Sequence, residues 1–156
     1  MKKSVPWITL SILVVVSISS WITYSLYKPA PPELEVVAAK HVVEVKPVTY
    51  SLRKWGRTAS ADINTDPAVL VRESTPLIVD PSDNIELLFN HSPDTVKCYL
   101  WEMETGKLAY KELTAYPLNL ESSNIASGDY ALEILAKWEN GYVLYNTRII
   151  VNDDKP

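Results

Sequence analysis

Residues 128–151 constrain the fold more than any other stretch of the chain. Asn140-Gly141 is a strong hairpin signal, because both residues tolerate the positive φ that a type I′ turn demands. With that pair as the loop, Trp138 is expected opposite Val143, Ala136 opposite Tyr145 and Ile134 opposite Thr147; Leu132 then falls opposite Ile149 and Tyr130 opposite Val151. Alternation puts all ten side chains on one face of the ribbon, and that face is almost wholly apolar. The other face carries Glu133, Lys137, Asn146 and Arg148 among Leu135, Tyr142, Leu144 and Ile150. A two-stranded hairpin is marginal in water, so the apolar face requires a second layer from the rest of the chain.

The preceding sequence offers that layer as short strands. Residues 35–45 are rich in Val and read as a strand whose alternation changes phase near Lys40. Val48–Leu52 is a second strand, and Arg53–Asp66 reads as a long loop. Asp66-Pro67 has the form of a helix start, with Asp as N-cap and Pro at the first helical position, giving one turn through Leu70. Further strands are expected at 76–79, 85–89, 96–103 and 108–113, with a short segment at 116–120. Turn signals every 8–12 residues indicate a sandwich or a small barrel. Gly128-Asp129-Tyr130 precedes a strand as a tyrosine corner would. The expectation is all-β: an immunoglobulin-like β-sandwich over 36–151, with a tail at 152–156.

Ahead of it, Val5–Tyr27 carries no charge. As a helix it reaches roughly 35 Å, enough to cross a hydrocarbon core of about 30 Å. Trp7 marks one end; Trp21, Tyr24 and Tyr27 mark the other, as an interfacial belt requires. Lys2 and Lys3 come first, so the positive-inside rule puts the N-terminus in the cytoplasm and the domain outside. The segment 1–28 is therefore expected to be a single-pass signal-anchor. The alternative is a signal peptide cleaved near Ser17 and Ser19, releasing the domain. No cysteine closes the apolar run, which argues against a lipoprotein anchor. Residues 29–35, with Pro29, Pro31 and Pro32, read as a stiff extended spacer.

The pattern Gly128-x-Tyr130, Ala136-x-Trp138-x-x-Gly141 and Tyr145, following a strand of form Ile85-x-Leu87-x-Phe89 after Pro81, resembles uncharacterised Bacillus-type exported or membrane-anchored proteins with an immunoglobulin-like C-terminal half. Those proteins also tend to carry a Gly-Ser-Tyr-Cys-Trp segment and a Cys-x-Asp segment. Their counterparts here are Val48–Leu52 and Ser60-Ala61-Asp62, with Ser51 and Ser60 where the cysteines would stand. The resemblance implies a fold and export, not a reaction.

Little in the chain points to catalysis. His41 lies in an apolar strand-like run and His91 in a polar loop, and they are the only histidines. Cys98, the single cysteine, alternates with apolar neighbours and reads as a small buried hydrophobe. Asp80, Asp83 and Glu86 read as a solvated turn, because nothing supplies the six or more oxygens that calcium requires. No zinc spacing, phosphate loop or nucleophile elbow is present. The expectation is no enzyme, no cofactor and no metal. After residue 28 the chain holds 12 basic and 19 acidic residues, a net −7, which disfavours nucleic acid as a partner. Against that background Arg53, Lys54 and Arg57 flank Trp55, a cluster suited to an anionic surface such as headgroups, wall polymers or an acidic partner. The sequence thus predicts a non-catalytic interaction or structural module at the cell envelope, with the membrane and an envelope protein as partners. The alternative is an extracytoplasmic proteinase inhibitor or small-ligand binder using the Arg53–Asp66 loop.

Overall fold

In the computed structural model, residues 5–38, 41–113, 117–121 and 123–152 are described. The chain begins with helix α1 (Val5–Leu26). Four strands follow: β1 (Leu34–Ala38), β2 (His41–Val45), β3 (Pro47–Lys54) and β4 (Arg57–Ala61). A single helical turn, α2 (Pro67–Leu70), separates them from β5 (Leu77–Val79), β6 (Asn84–Phe89) and β7 (Thr95–Glu102). The chain closes with β8 (Leu108–Leu113), β9 (Leu118–Asn119), β10 (Gly128–Trp138) and β11 (Gly141–Val151). Lys2, Lys3, Lys40, Tyr116 and residues 153–156 lie outside the described residues, so the expectations placed on them have no structural counterpart.

Two sheets face each other as a β-sandwich. One has the order β2-β1-β6-β9; the other runs β4-β3-β11-β10-β7-β8, with β5 joining β11 in parallel beside β3. From β5 onward the plan is immunoglobulin-like: the last two strands are central to one sheet, β7 and β8 extend it, and β6 and β9 sit opposite. The tyrosine corner is formed. Tyr130 Oη donates to the carbonyl of Ala126 at 3.1 Å, tying the start of β10 to the preceding connection.

All ten residues expected on the inner face of β10–β11 are buried. The opposite wall comes from Leu34, Val36, Ala38, Ile85, Leu87 and Leu118. Burying such a side chain contributes about 1.5–3 kcal/mol each. At one end of the core Phe89 meets Trp138 and Tyr145 edge-on, with ring centroids 5.9 and 6.0 Å apart. Each of those two rings also satisfies its polar atom: Trp138 Nε1 donates to His91 O at 3.1 Å, and Tyr145 Oη to Pro32 O at 2.7 Å.

The structure corrects three expectations. The β10–β11 pairing is displaced by two residues: Trp138 lies opposite Gly141, Ala136 opposite Val143, Ile134 opposite Tyr145, Leu132 opposite Thr147 and Tyr130 opposite Ile149. The turn is therefore Glu139-Asn140. Positive φ falls on Gly141 alone, at 144°, so the type I′ pair that needs two such residues is not formed. A Cβ on Gly141 would also lie 1.9 Å from Ser51 O of β3, which makes glycine obligatory in this strand pair. A slip of two keeps every side chain on its face, so alternation determines the faces and leaves the partners open. Second, the Val-rich run is two strands folded back on each other, with Ala38 opposite His41, rather than one irregular strand. Third, Arg53–Asp66 is not a free loop: β3 extends to Lys54 and pairs with β4 from Arg57. The expected Asp66 cap stands, with Asp66 Oδ1 accepting from Ala68 N at 2.8 Å and Pro67 opening the turn.

Candidate functional site

The Arg53, Lys54, Trp55 and Arg57 cluster forms the tip of the β3–β4 hairpin. Lys54 pairs with Arg57, leaving Trp55-Gly56 as a two-residue loop. Both loop residues have positive φ, 50° and 74°, so the type I′ turn of this molecule is here. Gly56 adopts that region freely. A tryptophan there costs about 1–2 kcal/mol, and such a cost needs surrounding contacts to hold it.

Those contacts come from the end of α1 and the segment after it. Tyr24 Oη donates to Trp55 O at 2.9 Å. The Tyr27 ring lies 4.8 Å from the Trp55 ring. Arg57 turns back towards the helix, its Nη2 donating to Tyr24 O at 3.2 Å and Ser25 O at 2.7 Å. Its guanidinium carbon sits 5.1 Å from the centre of the Tyr24 ring. A helix C-terminus leaves carbonyls without intrahelical partners and carries partial negative charge, so a guanidinium there satisfies both. Together Tyr24, Tyr27, Trp55 and Arg57 form a clasp between the hairpin and the helix. Beyond it Pro29 is buried and Pro32 receives the Tyr145 hydroxyl, so the proline segment is docked on the sandwich rather than standing it off.

Arg53 and Lys54 are used differently. Both side chains are exposed, and Lys54 Nζ lies 5.3 Å over the Trp55 ring. The two ion pairs among the described residues lie elsewhere, Lys97–Glu112 at 3.4 Å and Arg148–Asp129 at 2.6 Å. Trp55 is 66% exposed despite its contacts, more than any other large apolar side chain of the described sandwich. Between it and the helix is a groove of about 390 Å³ lined by Ser19, Ser20, Thr23, Tyr24 and Tyr27.

The helix itself has an unusual surface for a protein in water. Trp7–Leu26 has a mean hydropathy of 1.7, and none of it is buried by the rest of the chain. Its length and composition suffice to cross a membrane. Four of its hydroxyls turn inward to backbone carbonyls: Ser11 to Trp7, Ser17 to Leu13, Thr23 to Ser19 and Ser25 to Ile22, at 2.8–2.9 Å. That satisfies their donors without water, as an apolar surrounding requires.

The other candidates are dispersed. Cys98 is buried, and burial pushes its thiol up to about 12, so it stays protonated and unreactive in the fold. His41 is exposed on β2, and His91 is exposed in the loop whose carbonyl receives Trp138. Asp83 closes its own turn by accepting from Asp80 N at 3.0 Å. Among the described residues no group of three or more His, Cys, Asp or Glu is placed to hold a metal. An open cavity of about 640 Å³ lies beside Asp129 and Arg148. There Arg148 is held by both Asp129 oxygens, at 2.9 and 2.6 Å, and donates to Arg72 O at 3.1 Å.

The sequence singled out the hairpin-tip residues but not their partners. Tyr24 and Tyr27 read only as an interfacial belt, and Ser25 carried no signal. The one available hint was Gly56 after Trp55, a glycine in a position that a two-residue turn would use. Ser51 and Ser60, the positions aligned with cysteines in the resembled proteins, are direct cross-strand partners in β3–β4. Comparison with protein-family models, curated proteins and solved structures finds no match to this chain.

Proposed function

We propose that the protein is a single-pass, membrane-anchored β-sandwich whose domain lies outside the cytoplasm and serves as a non-catalytic interaction or structural module of the cell envelope. The observation that carries this reading is the clasp. A signal peptide destined for removal has no use for contacts with the mature domain, whereas here Arg57 caps the helix end and Trp55 adopts a costly backbone conformation against it. The bare apolar surface of α1 supports the same reading, since a bilayer is the surrounding that covers it. Lys2 and Lys3 favour a cytoplasmic N-terminus. The resemblance to Bacillus-type exported proteins is part of this proposal, and the facing positions of Ser51 and Ser60 support it.

The test is made in bacterial cells producing the full chain. Alkaline extraction should leave the protein in membranes, intact mass should equal the 17.6 kDa of the complete sequence, and protease added outside should digest the domain. A shortened, released form in the medium would overturn the anchor. Cross-linking in those membranes followed by affinity capture addresses the interaction role. Recovery of the chain with no bound protein would count against an envelope-protein partner.

A further inference from the structure

We infer that the β3–β4 hairpin tip is a binding site for anionic phospholipid headgroups in the leaflet facing the domain. The inference rests on the anchored reading above and adds to it a ligand class for the tip. Three observations carry it.

The first is depth. The groove beside Trp55 reaches Ser19 on the helix, seven residues before its end at Leu26. At 1.5 Å per residue that is roughly 10 Å back along the helix, so the indole stands beside its last two turns. In a helix that crosses a bilayer these turns occupy the interface, the zone where tryptophan and tyrosine are favoured. Trp55 therefore enters the headgroup layer from the domain side, against the helix face that carries Ser19, Ser20 and Thr23.

The second is charge. Lys28, Arg53 and Lys54 are exposed around this point, and no acidic residue occurs within 45–61 or 24–32. The remainder of the domain is net acidic, and Glu33 lines the pocket on the far side of Lys54, so the cationic tip contrasts in charge with its surroundings and suits an anionic surface. The third is division of labour. Arg57 is committed to the helix carbonyls, whereas Arg53 and Lys54 make no ion pair among the described residues. Their ammonium and guanidinium groups remain available for phosphate oxygens, and the adjacent groove offers apolar wall and hydroxyl-bearing turns to the glycerol and upper acyl region.

Native mass spectrometry of the full chain, released from membranes in mild detergent with equal amounts of phosphatidylglycerol and phosphatidylcholine, tests this directly. The chain mass reports whether residues 1–28 are present, so failure of the anchored reading is seen separately from failure of lipid binding. For the complete chain we expect phosphatidylglycerol to be retained at least about fivefold over phosphatidylcholine, and that preference to fall about tenfold or to zero in R53E/K54E, near the scale of one kcal/mol per cation at an anionic surface. Both side chains are exposed, so the variant should keep wild-type circular dichroism and melting temperature. Equal retention of the two lipids, or an unchanged preference in the variant, would overturn the proposal. So would displacement of the lipid by a soluble glycerol-phosphate polymer at comparable phosphate concentration, which would assign the tip to wall polymer instead.

Discussion

The molecule contains two long-reaching hairpins that obey opposite rules. In β10–β11 the faces are decisive: ten inward residues are buried, and the turn is a short reversal whose Asn140 O accepts from Arg53 N of the neighbouring β3 at 2.7 Å. In β3–β4 the faces are weak, with β4 alternating between half-buried and exposed along Arg57–Ala61, and the tip is decisive. There a tryptophan in a left-handed conformation meets a helix more than 25 residues away in sequence. The first hairpin stabilises the domain through burial. The second contributes little to the core and is shaped by what lies beyond the sandwich. A strand pair that gains so little from its faces and carries backbone cost at its tip is one whose form answers to a partner.

The comparison predicts unequal sensitivity to mutation. Ile134→Ala removes a fully buried side chain from the β10–β11 wall and should cost about 2–5 kcal/mol in denaturant unfolding. Thr58→Ala, at an exposed position of β4, should change stability by less than about 0.5 kcal/mol. Equal losses would erase the distinction. A smaller effect of opposite sign comes from joining β3 to β4. Ser51 and Ser60 face each other, and opposed residues in an antiparallel pair lie within the Cα separation that a disulfide spans. The pair S51C/S60C should oxidise spontaneously on export and add about 2–3 kcal/mol, the loop-closure value for a ring of this size. Mass spectrometry without reductant and melting with and without reductant read both parts. Two free thiols in the folded domain would show that the hairpin register differs from the one described.

The same contrast accounts for what the sequence made legible. Alternation over Tyr130–Trp138 and Val143–Val151 is long and nearly pure, so the faces and the sandwich can be read from it, and the buried Cys98 from the alternation of its own strand. Partner register cannot, because a displacement of two preserves alternation, and the contacts the turn makes with β3, Gly141 against Ser51 O and Asn140 O accepting from Arg53 N, are tertiary. At the other hairpin, Arg57–Ala61 has the small and polar composition of a loop, and its strand conformation comes from pairing with β3. The cluster of Arg53, Lys54, Trp55 and Arg57 stood out by charge and aromaticity. That Arg57 serves the helix while Arg53 and Lys54 face outward is a tertiary fact, set by the approach of Tyr24 and Ser25.

The smallest expected effect lies on the outer face of β10, where the buried hairpin carries an acid. Burial of Glu133 raises its carboxyl above the usual range, with the neighbouring Trp101 indole opposing part of the shift. In the unfolded chain the group ionises near pH 4.3. A folded value above that means the protonated form favours the fold: the contribution is fully present below the unfolded value and is lost as pH rises through the folded one. At pH 7 the ionised carboxylate therefore opposes folding. Glu133→Gln should raise the melting temperature at pH 7, and the gain should shrink towards zero as pH falls below the unfolded carboxyl's range, where both side chains are neutral. A loss of stability at pH 7 would mean that the carboxylate is held by a favourable partner, and that the outer face of this hairpin, like the tip of the other, is shaped by contact and not by burial.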